Sequence, residues 1–386
     1  MRLLFLDSPA FAKQDMIDAF EECEISCDLF FHDSYKERWD NDFDAAFDTA
    51  VSKHNYDFVF SFNYHPIISN CCMRHNLKYV AYVYDSPHVA LYSYTLLNRC
   101  NYVFLFDKTT FLTFKNSGIQ TVYYLPLAAN VKRLSSAKCP DKLLASVSSE
   151  ISFVGALYNE DHHFFERLNK LSPFTEGYLD AIMTAQQKVY GYQFLEELLT
   201  PDIIKDLQKS CPYSPLPDGT ETDAYVYANY FLCREITSRE RIALLKSASE
   251  KYELKLYTNH VSKELPNAKF MGTTDPYHTT PLIFQNSRIN LNITLKSISS
   301  GIPLRCMEIM GSGGFLFTNF QQELIDFFEP EDDFAFFENE DDFINKISYF
   351  LSHEKHRQQI TSNCLGKMKD FHSFYHRAQT ILDIIF

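Results

Sequence analysis

No stretch of this 386-residue chain approaches the roughly 20 apolar residues that a membrane-spanning helix needs, so no membrane span is expected. There is no CxxC pair: the ten cysteines are scattered and only Cys71 and Cys72 adjoin, which suits reduced thiols better than a disulfide framework. The His162–His163 doublet lacks partners at ligand spacing and reads as a solvated helix start, so no metal site is expected. No GxGxxG follows any apolar run, which leaves a dinucleotide oxidoreductase little support. Internal repeats and low-complexity tracts are also lacking. Nor is there a basic excess: 36 Lys and Arg stand against 50 Asp and Glu, a formal charge of −14. A net-acidic surface repels phosphodiester backbones, so nucleic acid is not an expected partner, while a local basic patch can still hold one small anion. The opening MRLLFLDSPAF reads as a first strand, without the longer apolar core and small-residue cleavage site of a signal peptide, and a cytoplasmic location is expected.

What is present is apolar side chain in quantity, 46% hydrophobic and 16% aromatic residues. The length exceeds one ordinary core and suits two lobes of roughly 150 to 200 residues. Short continuous runs recur at Leu3–Leu6, Cys27–Phe31, Phe58–Phe62, Tyr79–Tyr84, Tyr102–Phe106 and Thr121–Leu125. Continuous rather than alternating, they read as strands buried on both faces of a parallel sheet. Amphipathic stretches such as Lys13–Cys23 lie between them, which predicts a doubly wound α/β lobe over 1–130. The polar, aperiodic stretch 131–149 reads as a linker. A second series follows at Ile151–Ala156, Leu254–Thr258, Lys269–Gly272, Ile289–Thr294, Gly314–Asn319 and Phe334–Phe337, giving a second α/β lobe over 150–370. Residues 157–253 are too many for one crossover. Their helical patterns (Tyr178–Leu199, Arg239–Tyr252) around the break CPYSPLPDGTETD predict a helical insertion in the C-terminal lobe. Two helices follow His353, with 371–386 as a C-terminal helix. In such folds ligands bind at the carboxyl ends of the strands.

The segment RINLNITLKSISSGIPLRCMEIMGSGGFLFTN is the most informative. Ser300, Gly301 and Pro303 suit a turn opening a helix, with glycine letting the backbone approach a ligand and proline placed in the first helical turn. Such an N-terminus attracts an anion. Arg305 would pair with phosphate oxygens, and Glu308, one turn on, would accept hydrogen bonds from a ribose diol. The bland alternative is an ordinary turn followed by an Arg305–Glu308 surface ion pair.

The run SGIPLRCMEIMGSGGFLFTNFQQELIDFF, with DPYHTTPLIFQNSRINLNIT and ISFVGALY before it and YVYDSPH, VFLFDK and YLPLAAN in the first lobe, resembles the GT-B glycosyltransferases, in particular the CgeB-like, spore-maturation group. The resemblance runs along most of the chain and is weakest over the insertion. It implies two Rossmann-like lobes, the second holding a nucleotide-sugar donor and the first the acceptor, with no metal or other cofactor. Carried over by position, Gly155 would lie near the diphosphate, Ser300, Gly301 and Arg305 would form the phosphate-facing turn, and Glu308 would bind ribose. Tyr257, Thr258 and Gly272, at strand ends, would flank the base, which is uracil by family analogy, on a hexose-type donor. The large retaining group of this fold carries two glutamates eight positions apart; the second aligns with Glu308, but Ser300 stands where the first belongs, so no retaining mechanism is inferred.

Inversion requires a base to deprotonate the acceptor. Asp85 and His88 in YDSPH, and His65 beside Asn63 in SFNYHP, are the candidates; the alternative for Asp85 and Asn63 is helix N-capping. Two other readings stay open: a sugar-nucleotide epimerase on the same frame, and an inactive nucleotide-sugar-binding scaffold. The acceptor (protein, glycan or small molecule) is not legible, and the insertion is a candidate for shaping acceptor binding or a homodimer contact.

Overall fold

The structure, a computed structural model, describes residues 1–160 and 163–386. It divides into two compact units. The first comprises Met1–Ala128, Ser214–Thr222 and His372–Phe386; the second comprises Ala129–Tyr213 and Asp223–Phe371.

The first unit is built on six parallel strands, β1 (Arg2–Leu6), β2 (Ser26–Phe30), β3 (Phe58–Phe62), β4 (Lys78–Val83), β5 (Asn101–Leu105) and β6 (Val122–Tyr124), in the order β2-β1-β3-β4-β5-β6. β3 is buried at every residue, as its continuous apolar run requires, whereas β2, at the sheet edge, buries only Phe30 fully and leaves Leu29 exposed. Phe5, Phe20, Phe58 and Phe60 pack edge-on or tilted on one face, at centroid separations of 4.9–5.8 Å. The C-terminal helix Phe374–Ile385 belongs here. Its buried Arg377 donates to the carbonyls of Pro126 (2.7 Å) and Leu127 (3.1 Å), and Tyr82 adds its hydroxyl to Pro126 O (2.6 Å). The segment Ser214–Thr222 joins this unit through backbone bonds from Tyr94 N to Asp218 O (2.9 Å) and Thr220 N to Tyr92 O (2.8 Å).

The second unit carries β7 (Ser149–Val154), β8 (Leu254–Tyr257), β9 (Lys269–Phe270), β10 (Ser287–Asn292), β11 (Leu316–Asn319) and β12 (Ala335–Phe337), all parallel, in the order β12-β11-β10-β7-β8-β9. All twelve strands begin and end within two residues of the runs read from sequence. A buried polar ladder fixes the register of β7 on β10: Ser152 Oγ donates to Asn290 Oδ1 (2.7 Å), and Asn290 Nδ2 donates to the carbonyls of Phe284 (3.0 Å) and Phe315 (3.3 Å). Every polar atom of that asparagine is thereby satisfied in the core.

Residues 131–149, expected as a linker, form the short helices Val131–Ser136 and Asp141–Val147 within the second unit. The insertion is helical with its own apolar core, including Leu179, Met183, Leu195, Leu207, Tyr227 and Leu232. The expected single helix Tyr178–Leu199 is instead Pro173–Gln187 followed by a turn and the short helix Leu195–Leu198. Gly191 sits at φ +77° in that turn, and buried Gln186 organises it, donating to Tyr192 O (2.9 Å) and accepting from Phe194 N (2.9 Å). The second helical pattern starts earlier than expected, running from Asp223 through a π-helical stretch, Tyr227–Leu232, into Cys233–Ser249, which leads to β8. His163, expected to be solvated, is buried at 5% exposure; His162 lies outside the described residues.

Candidate functional site

In each sheet the connections reverse direction beside the first strand, between β1 and β3 and between β7 and β10. Loops leaving those strand ends diverge, which opens the crevice where α/β sheets bind ligands.

At the β7/β10 reversal the sequence candidates gather around a residue not anticipated from sequence. Arg241, on the buried side of the helix Cys233–Ser249, donates from Nε to Ile293 O (3.0 Å), just past β10, and from Nη1 to Ala156 O, just past β7. A Cβ on Gly155 would stand 3.9 Å from Arg241 Nη1, so that glycine lies beside the guanidinium. Burial lowers the Arg241 pKa, Tyr158 and the charge of Glu240 act against that, and the charge of Arg305 adds a smaller lowering. Gly155 and Arg241 thus adjoin at the β7/β10 reversal, where the charges of Arg305 and Glu240 are both felt with opposite sign. Two carbonyls and the rings of Phe153 (5.3 Å) and Tyr158 (4.7 Å) surround the guanidinium, and the Glu240 carboxylate on the same helix partly offsets its charge.

Ser300 and Gly301 are buried just before the helix Leu304–Gly311, whose N-cap is Pro303 with no side-chain cap. The Ser300 hydroxyl donates to Glu323 Oε1 (2.7 Å), and Glu323 N donates back to Ser300 O (3.1 Å). Glu323 is fully buried, so in this structure the Ser300 hydroxyl is committed to the protein and its contribution to the turn is through the backbone. Arg305 and Glu308 form the ion pair of the bland alternative, Nη1 to Oε2 at 2.7 Å; their side chains are partly buried, and the guanidinium lies 5.5 Å from the Phe284 ring.

On the other side of β7, Gly155 N donates to Tyr257 O (3.0 Å), which makes these two direct neighbours. The Tyr257 hydroxyl is spent on Ser146 O (3.0 Å) and burial pushes its pKa up to about 12, so only its ring and backbone are offered to a ligand. Thr258 is buried with a hydroxyl that has no hydrogen-bond partner, while Gly272, at φ +78° beyond edge strand β9, has open space where a Cβ would be. The strand order separates Gly272 from β7 by β8 and β9.

In the first unit, the loop after β4 is clamped by Asn63, itself at φ +58°. Asn63 Oδ1 accepts from Tyr84 N (3.1 Å) and Asp85 N (3.2 Å), and its Nδ2 donates to Asp85 Oδ2 (2.7 Å). Asp85 is exposed and precedes a cis Ser86–Pro87 bond. It caps no helix, and neither does Asn63: the next turn of helix starts at Val89, and Pro66–His75 is preceded by His65 without a side-chain cap. His88 Nε2 lies 2.9 Å from Tyr64 O and 3.2 Å from Tyr64 N, and burial lowers its pKa against the opposing charge of Asp85. His65 is turned into the core, edge-on to Tyr35 at 5.3 Å with Nε2 3.3 Å from Phe62 O. Burial, then the charge of His88, pushes its pKa down to about 3. Buried in this way, the ring is a weaker proton acceptor than a free imidazole.

Besides Arg241, sequence reasoning missed Glu240, Lys296, Tyr190 and Glu323. For Glu240 and Arg241 the signal was charge on an apolar stripe, since they share the buried face with Ile236, Leu244 and Leu245. Among the described residues no group of three His, Cys, Asp or Glu is placed to hold a metal ion, and no helix is long and apolar enough to cross a membrane.

Residues 237–383 match the glycosyl transferase-like family. No curated protein matches the chain. Among solved structures, the HepE protein of Anabaena in complex with UDP and glucose aligns over 100% of this chain and 99% of its own, at 12% identity and a TM-score of 0.53. A glycosyltransferase from Rickettsia africae aligns over 100% and 97% (10% identity, TM-score 0.52), and sucrose-phosphate synthase from Thermosynechococcus elongatus over 100% and 98% (11%, 0.55). At such identities the likeness is one of fold. The chain has the GT-B fold of glycosyltransferases, with a glycosyl transferase-like region over residues 237–383.

Proposed function

We propose that this protein is a glycosyltransferase of CgeB-like type, moving a hexose-type sugar from a nucleoside-diphosphate donor to an acceptor hydroxyl. The observation that carries the reading is the convergence of Gly155, Arg241 and Arg305 at the β7/β10 reversal, inside the region that matches the glycosyl transferase-like family. In the reaction the acceptor oxygen bonds to the anomeric carbon, the bond to the diphosphate breaks, and negative charge grows on the leaving group. Arginines fixed before the reaction stabilise that charge without reorganisation. Arg241, locked by carbonyls, supplies a constant field; Arg305 exchanges Glu308 for the diphosphate, which frees Glu308 to accept from the ribose. This assignment leaves no role that requires a metal. The HepE complexes with UDP and with UDP-glucose support a uridine donor by fold analogy.

In the first unit, Asp85 is the proposed base. Asn63 holds one of its oxygens and leaves the other to take the acceptor proton. His88 is the second candidate; Tyr64 occupies its Nε2, so proton transfer would run through Nδ1.

Incubation with a panel of nucleotide sugars tests the activity through slow donor hydrolysis. Melting curves with UDP, GDP and ADP, with and without EDTA, test the site. Ligand at 100 times its dissociation constant adds about 2.7 kcal/mol. Absence of a shift with all three nucleotides sinks the donor-site assignment, and loss of the shift in EDTA sinks metal independence.

A further inference from the structure

The irregular segment between β10 and the helix Leu304–Gly311 is gripped from behind by the helical insertion. Lys296 N donates to Thr237 Oγ1 (3.0 Å) on the helix Cys233–Ser249. Lys296 Nζ lies 3.4 Å from Glu240 Oε2, donates to Gln187 O (3.3 Å), and sits 3.8 Å from the centroid of the Tyr190 ring. The Tyr190 hydroxyl donates to the other Glu240 oxygen. Both charged side chains are almost wholly buried, and a cavity of only about 20 Å³, room for about one water, lies among Tyr190, Gln193, Lys296 and Ser299. The far end of the same segment is held by Ser300 and Glu323.

A buried Lys–Glu pair is poorly explained by stability, because an apolar pair of similar volume is often as stable or more so. A charge pair with a third partner does select one geometry. We propose that Glu240, acting through Lys296 and braced by Tyr190, is a positioning residue that sets the segment Ser297–Gly301, so that the helical insertion serves the donor side of the protein. The proposal rests on the donor reading of that segment.

Two readouts separate the proposal from the reading beneath it. Amide hydrogen exchange across 294–303 reports the segment itself, and UDP titration reports the donor site. In Glu240→Gln, exchange across 294–303 should quicken by about tenfold while peptides from β3 and β4 are unchanged, and UDP affinity should fall by about tenfold. Tyr190→Phe, which leaves both charges in place, should move both readouts the same way by less. The double variant Glu240→Leu/Lys296→Met should recover the wild-type Tm but keep the fast exchange and weak UDP binding. Wild-type exchange in both Glu240→Gln and Tyr190→Phe, or wild-type exchange and affinity in the double variant, overturns the proposal, because the pair is then packing alone. If the unaltered protein binds no nucleoside diphosphate, the donor reading fails, and the exchange rates still decide whether the insertion positions the segment.

Discussion

Mild acid should destabilise the first unit well before its carboxylates titrate, because two of its histidines are buried neutral. Burial pushes His65 down to about 3, and burial together with the Arg377 charge takes His372 to about 3. In the unfolded chain each returns to about 6.5. A folded pKa below the unfolded one means that the unfolded state takes up the extra proton, so the contribution is fully present above about pH 6.5 and is lost as pH falls toward 3. At pH 5 the gap already traversed is about 1.5 units, or about 2 kcal/mol per histidine. Together that is about 4 kcal/mol, against a total stability of about 5–15 kcal/mol for an ordinary domain. Tyr64, Tyr79 and Tyr82 are fully buried in the first unit, so the near-UV circular dichroism of tyrosine during urea unfolding reports the loss of its core. Unfolding should be measured at pH 7.5, 6 and 5 in wild type, His65→Gln and His372→Gln. Each variant should lose about 2 kcal/mol less than wild type between pH 7.5 and 5. Identical losses in all three proteins would show that neither ring is held neutral, and the buried placement of both would be wrong.

Three further outcomes follow from local geometry. Gly314→Ala would set a Cβ 2.7 Å from Phe284 O and 2.8 Å from Asn290 Nδ2, in the ladder that registers β10, and should cost about 1–3 kcal/mol or more by urea unfolding. Gly177→Ala, in the helix Pro173–Gln187 with nothing near the new methyl, should instead raise stability by about 0.5–1 kcal/mol. Asp85→Asn should lower turnover by about 100-fold with donor affinity retained, and wild-type turnover in that variant moves the base to His88.

The strands were legible because burial on both faces writes itself as continuous runs: Phe58–Phe62 was bounded to the residue, and β4 and β5 to within one. Edge strands carry less of that signal, and β9 is only two residues long and exposed. The turn Lys188–Phe194 was not legible, since a buried glutamine rather than a proline–glycine pair ends the helix before it. For the site, position served better than chemistry. Gly155, Ser300, Gly301 and Arg305 fall at strand ends and a helix start, as their spacing required. Which polar groups the protein itself consumes was invisible: the Tyr257 hydroxyl goes to Ser146, the Ser300 hydroxyl to Glu323, and His65 turns inward. Arg241 hid inside a helix pattern, because a charged residue on an apolar stripe looks like noise until its partners, two strand-end carbonyls, are known.

The central claim is that Arg305 and Glu308 serve a nucleotide-sugar donor through different parts of it, and calorimetric titration of UDP into wild type, Arg305→Ala and Glu308→Gln tests it most directly. A hydrogen-bonded charge contact is worth about 1.5–3 kcal/mol, so Arg305→Ala should weaken UDP by about ten- to a hundredfold. Glu308→Gln should weaken UDP while affecting a 2′-deoxy analogue less, because it alters the acceptor offered to the ribose. Unchanged UDP affinity in both variants would leave only the 2.7 Å ion pair between the two side chains and no donor site on this helix.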